Sequence, residues 1–147
     1  MSDELSLIDS NLLGYVFDES EPEKKKICKD LIAECWKGER KYAVSVQNLS
    51  EFYIVVTKKI QYPIPEKVAK RFIELIIDFQ GWLVLNINAR TVTSAVDICS
   101  KYEIHYWDAL LAATMRDNRV SSIYTEDGDF KKIPWLKVVD PFELKKF

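Results

Sequence analysis

The chain has 147 residues, 48% hydrophobic and 30% charged, with a formal net charge of −2. This length and composition match one compact domain over residues 1–147 and exclude a disordered or low-complexity polypeptide. No apolar run approaches the roughly 20 residues that a membrane helix needs, and no secretory signal is visible, so the expected address is the cytoplasm, away from membranes. The mild negative charge argues against a protein coated for nonspecific polyanion binding, leaving Lys58-Lys59, Lys67 to Arg71 and Arg116 to Arg119 as local basic footprints.

Leu5 to Ile8 reads as a short buried strand, and Asp9-Ser10-Asn11 supplies capping side chains for a helix through Leu12 to Phe17. Pro22 opens a second helix, on which Ile27, Leu31, Ile32 and Cys35 fall at helical spacing before Gly38 ends the run. Tyr42 to Val46 is β-prone and leads into a helix from about Gln47 to Lys59, whose exit is marked by Pro63 and Pro65. Glu66 to Phe79 is helical with an apolar face wider than one packed stripe requires. Ile76 and its apolar neighbours there are expected to meet a partner.

Trp82 to Leu85 is a strand, Ala89 to Tyr102 and Asp108 to Asn118 are helices, and Ser121 to Tyr124 and Leu136 to Val139 are the last strands. This alternation defines an α/β fold with a mainly parallel central sheet and helices on both faces. Cys28, Cys35 and Cys99 form no C-x-x-C pair and read as reduced, mostly buried thiols. The tryptophans read as core or edge packing, and the sole histidine, His105, as structural.

In such a sheet the binding crevice lies outside the carboxyl ends of the strands. Asp9 follows the first strand, Asp127 follows the Ser121 to Tyr124 strand, and Glu51 and Asp108 lie near the starts of helices returning from that edge. Taken singly, Asp9 is equally an N-cap, Asp108 a first-turn acid and Asp127 a turn residue. Glu51, between Leu49 and Phe52-Tyr53, is harder to read as a solvated charge. Four converging carboxylates repel unless a cation is present, and magnesium or manganese, as one or two ions, favours such hard oxygen ligands. Ions held this way can polarise a phosphodiester and activate water, chemistry that needs no histidine. One histidine excludes a two-histidine acid–base mechanism. The glycines are too dispersed for a phosphate-binding loop, and there is no serine elbow.

Ile8-Asp9-Ser10-Asn11-Leu12-Leu13, Asn48-Leu49-Ser50-Glu51-Phe52, Tyr106-Trp107-Asp108-Ala109-Leu110-Leu111-Ala112-Ala113 and Tyr124-Thr125-Glu126-Asp127-Gly128-Asp129-Phe130, in this order and spacing, resemble the PIN-domain family, including toxin nucleases of VapC type. The resemblance implies a three-layer α/β/α PIN-like domain and magnesium- or manganese-dependent cleavage of RNA by activated water. It implies metal-ligand and catalytic roles for Asp9, Glu51, Asp108 and Asp127, with Asn11, Thr125 and Asp129 in supporting or substrate-positioning roles. It also implies an antitoxin inhibitor and a homodimer. A hydroxyl at Ser10 or Thr125 can steady a ligand carboxylate, and Asp127 ranks ahead of Asp129.

Few basic residues adjoin these motifs, so phosphate-holding cations are expected from elsewhere, with Arg116 or Arg119 the candidates. Two rivals stand beside the nuclease. One is an aspartate-based phosphohydrolase, which wants a second acid where Asn11 stands; the other is a noncatalytic metal-binding or partner-docking module.

Overall fold

The computed structural model describes residues 4–144. Its centre is a five-stranded, wholly parallel sheet in the order β3-β2-β1-β4-β5, formed by β1 (Ser6–Ile8), β2 (Tyr42–Ser45), β3 (Trp82–Leu85), β4 (Ser122–Tyr124) and β5 (Lys137–Val139). The chain builds outward from β1 to β2 and β3, then crosses to the far side of β1 to lay down β4 and β5. The strand order therefore reverses between β1 and β4, and a crevice opens at their carboxyl ends.

Side-chain alternation sends each strand's residues into two separate cores. Leu7, Ala43, Leu85 and Ile123 join the core beneath α5 (Ala89–Tyr102) and α6 (Tyr106–Asp117). Ile8, Tyr42, Val44 and Trp82 join the core beneath α1 (Ser10–Tyr15), α2 (Pro22–Trp36), α3 (Val46–Ile54) and α4 (Glu66–Asp78). A short α7 (Pro141–Leu144) ends the described chain. The expected three-layer α/β/α architecture is the observed one.

Local chemistry fixes the helix starts that matter for the crevice. Asp9 caps α1, its Oδ1 accepting from the Ser10 backbone N–H at 2.7 Å. Ser45 caps α3 through a reciprocal capping box with Asn48. Gly38, at φ 78, takes the left-handed position just past α2 that favours glycine. Residues 109–115 of α6 are all buried, so the helix that carries Asp108 in its first turn is held on nearly every side.

Three expectations need correction. The helix expected through Lys59 stays α-helical only to Ile54 and then widens into a π-helical turn, Val55–Lys59, closed by Ile60 N–H donating to Val55 O at 3.0 Å. Ile76 lies in the core at 0% exposure, because the periodicity of α4 turns it inward. Val68, Leu75 and Ile77 are the apolar side chains that α4 leaves exposed. Trp107 is 62% exposed rather than packed, since it precedes the buried run of α6 on the outer side of the first turn.

Candidate metal centre and active site

The crevice between β1 and β4 holds a cavity of about 360 Å³ lined by Asp9, Asn11, Glu51, Asp108 and Asp127, with Ser10, Ser50 and Lys59 among its other walls. The four acids expected to converge do so. Each arrives by a different route: Asp9 at the β1 exit, Glu51 along α3, Asp108 in the first turn of α6, and Asp127 in the loop after β4.

Asp9 is only 8% exposed and is fixed on both oxygens. Thr125 Oγ1 donates to its Oδ2 at 2.7 Å, and the Ser10 N–H holds Oδ1. The Ser10 hydroxyl lies 3.3 Å from Asp9 Oδ1 and 2.9 Å from Glu51 Oε1, so its single proton links the first strand's acid to α3. Burial raises the Asp9 pKa above the usual carboxylate value. The Thr125 and Ser10 hydrogen bonds oppose that rise, and the Glu51 charge adds to it.

Oxygens of Asp108, Asp127 and Asp129 lie within 4.8 Å of one another. Burial, then the charge and hydrogen bond of Asp127, and then Asp9 and Asp129, push the Asp108 carboxyl up to about 7. Both Asp127 and Asp129 flank Asp108, but of the two only Asp127 lines the cavity; its Oδ1 also accepts from the Asp129 N–H at 2.9 Å as the cap of the 3₁₀ turn Gly128–Lys132. Half-buried acids crowded this closely, with no ion pair from a basic side chain to Asp9, Glu51, Asp108 or Asp127 among the described residues, form a donor set suited to a hard divalent cation.

The loop carrying Thr125 and Asp127 is braced from below. The Asp127 N–H donates to Thr125 Oγ1 at 3.0 Å, and Thr125 N–H to Val139 O at 3.0 Å. Glu126, between them, accepts from the Tyr15 hydroxyl and from Lys24 Nζ at 3.0 Å. Burial and Glu126 raise the Tyr15 pKa to about 12, so the phenol keeps the proton that it donates. The Tyr15–Glu126–Lys24 tie was not foreseen in the sequence, because its members are up to 111 residues apart.

Neither Arg116 nor Arg119 lines the cavity. Arg116 is in the last turn of α6, about 12 Å along the helix from Asp108 at 1.5 Å per residue, and its guanidinium packs over Trp135 at 5.4 Å. Lys59, from the first of the basic stretches, reaches the cavity instead.

A carboxylate cluster at the switch point of a parallel α/β/α sheet defines an α/β protein with an acidic crevice at the carboxyl edge of its strands. The PIN domain family model matches residues 6–136, and the chain belongs to the PIN domain family. Ribonuclease VapC2 of Methanocaldococcus jannaschii is 26% identical over 102 residues, spanning 66% of this chain and 68% of that protein. Among solved structures, VapC20 of Mycobacterium tuberculosis, a sarcin–ricin loop cleaving toxin, superposes with a TM-score of 0.69 at 16% identity, covering 93% of this chain and 100% of that one. A toxin–antitoxin complex from Klebsiella pneumoniae gives a TM-score of 0.63 at 21% identity, covering 92% and 97%. At these identities the structural likeness shows the shared fold.

Proposed function

We infer that this protein is a magnesium- or manganese-dependent endoribonuclease, the toxin of a toxin–antitoxin pair, working in the cytoplasm. The observation that carries the reading is the convergence of Asp9, Glu51, Asp108 and Asp127 on one cavity in a PIN-domain chain. A relative that is a ribonuclease supports RNA as the substrate.

Asp9, Glu51, Asp108 and Asp127 would hold the ion or ions, with Asp129 in support beside Asp108. A bound divalent ion supplies Lewis acidity toward a phosphodiester and lowers the pKa of a coordinated water. The chain's own residues do the positioning. Thr125 and Ser10 lock the Asp9 carboxylate, the Ser10 hydroxyl steadies Glu51, and the buried start of α6 fixes Asp108. Asn11, exposed on the cavity wall, offers an amide to the ribose or phosphate of the strand.

Structural neighbours in complex with antitoxins support an inhibitor partner. On this chain the exposed Val68 and Leu75 of α4 line shallow apolar grooves edged by Phe17, Trp36 and Phe79, a surface that suits an antitoxin segment better than water. A homodimer is expected as well, read as a doubled solution mass.

Purified protein freed of inhibitor should cut RNA with magnesium or manganese, stop with a chelator, and lose the activity in Asp9→Asn. RNA left intact by the wild type, or cut equally by Asp9→Asn, would contradict the assignment.

A further inference from the structure

We propose that Lys59 anchors the backbone phosphate next to the scissile one, and that the hollow beyond it seats the adjoining nucleotide; this rests on the RNA-cleaving reading above. The acidic cavity does not end at the acids. A second hollow of about 350 Å³ adjoins it, and the two share Asn11, Val55 and Lys59 as common walls. The second is edged by Tyr15, Asp18, Ser20 and Gln61, with the Ser20 hydroxyl donating to Asp18 Oδ1 at 2.6 Å, polar groups able to meet ribose hydroxyls and base edges rather than a phosphate. Together they form a continuous trough of a size for more than one nucleotide.

Lys59 is the one cation among the described residues that lines either hollow. Among the described residues its ammonium makes no hydrogen bond or ion pair, whereas Lys24 and Lys25 are engaged by Glu126 and Glu19. Four carboxylates share its cavity, yet none sits within ion-pair distance of it. A backbone phosphate one step along the strand from the acids gives the Lys59 ammonium the anion that none of those carboxylates supplies.

The backbone is shaped to place this lysine. Glu51, Val55 and Lys59 recur every four residues and all line the cavity. Four residues of α-helix overshoot a full turn by about 40°, a drift that carries successive side chains around the axis. The wider π turn after Val55 reverses that drift, so Lys59 stays in line with Glu51. Thr57 Oγ1 donates to Tyr53 O at 2.6 Å within this turn. Gly14 lets Val55 approach closely, since a Cβ at Gly14 would sit 3.0 Å from Val55 Cγ1.

The test compares wild type, Lys59→Ala and Lys59→Arg as full-length proteins on a short single-stranded oligoribonucleotide with manganese. Lys59→Ala should raise KM about tenfold, far more than it lowers kcat, and should flatten the salt dependence of binding by about one phosphate contact. Lys59→Arg should recover most of the loss. On oligonucleotides carrying one neutral methylphosphonate at successive positions, the Lys59→Ala penalty should vanish when the neutral group adjoins the cut. Unchanged KM and salt slope in Lys59→Ala, or a penalty indifferent to methylphosphonate position, overturns the anchor.

If the wild type cuts no RNA, the cleavage reading fails by itself. Fluorescence anisotropy with the same labelled oligonucleotides then still reads Lys59 directly. A tenfold weaker Lys59→Ala supports the anchor there, and equal affinities overturn it.

Discussion

Thr125 Oγ1 donates to Asp9 Oδ2 at 2.7 Å, joining the residue that leaves β4 to the residue that leaves β1 across the point where the strand order reverses. The bond orients a carboxylate that burial would otherwise push toward protonation. Thr125→Val should therefore weaken manganese binding or cleavage by about 10- to 100-fold, the usual effect of removing a group that orients a metal ligand. Thr125→Ser, which keeps the hydroxyl, should stay near wild type. Equal activity in Thr125→Val and wild type would show that Asp9 needs no such support.

Asp108 gives a pH dependence of stability. Its carboxyl is raised to about 7 in the fold from an ordinary 3.8, so folding favours the protonated form. In metal-free protein this contribution is fully present below about pH 4 and is lost as pH rises through about 7. The Tm of wild type minus that of Asp108→Asn should therefore fall between about pH 5 and about pH 8 in chelator. Manganese should raise the wild-type Tm at the upper pH, where the acids are ionised and repel. A difference that is flat or grows with pH would show that Asp108 does not carry the raised pKa.

Two adjacent residues on α4, Leu75 and Ile76, separate packing from partner binding. Ile76 is wholly buried, whereas Leu75 is 42% exposed and lines the apolar grooves. Ile76→Asp places a charge in the core and should cost about 4 kcal/mol, a fall in Tm of roughly 10 °C. Leu75→Asp should leave Tm nearly unchanged while weakening capture of an antitoxin, as should Val68→Asp. Full antitoxin affinity in both surface variants would place the partner on another face.

Phe52 is at 0% exposure and packs against Phe17 and Phe72 at ring separations of 5.8 and 5.1 Å. It anchors α3, the helix that carries Glu51. Phe52→Ala should cost about 3–5 kcal/mol in urea unfolding, and Phe52→Leu clearly less. A loss under about 1 kcal/mol for the alanine would mean that α3 is held by other contacts.

Much of the architecture was written in short-range patterns. The capping acid at Asp9, the Pro22 start, the Gly38 stop and the strand–helix alternation each act within a few residues, and together they led to the parallel sheet and the crevice at its carboxyl edge. The four acids were legible because each follows a strand or opens a helix at that edge. What escaped depends on phase and on distance. A π turn has no local signature, so the entry of Lys59 into the cavity was hidden in a segment read as plain helix. The width of the apolar face on α4 was correct, but sequence alone did not say which isoleucine faces inward. Arg116 shares a helix with Asp108, and its far end became clear only once the helix axis was set.

The most direct test of the central claim is a calorimetric titration of manganese into chelator-stripped protein, run in parallel on wild type and Asp108→Asn. Saturable binding of one or two ions by the wild type and at least a tenfold loss of affinity in Asp108→Asn are expected, with the fold of both verified by circular dichroism. Identical isotherms for the two proteins, or no saturable binding by the wild type, would contradict it.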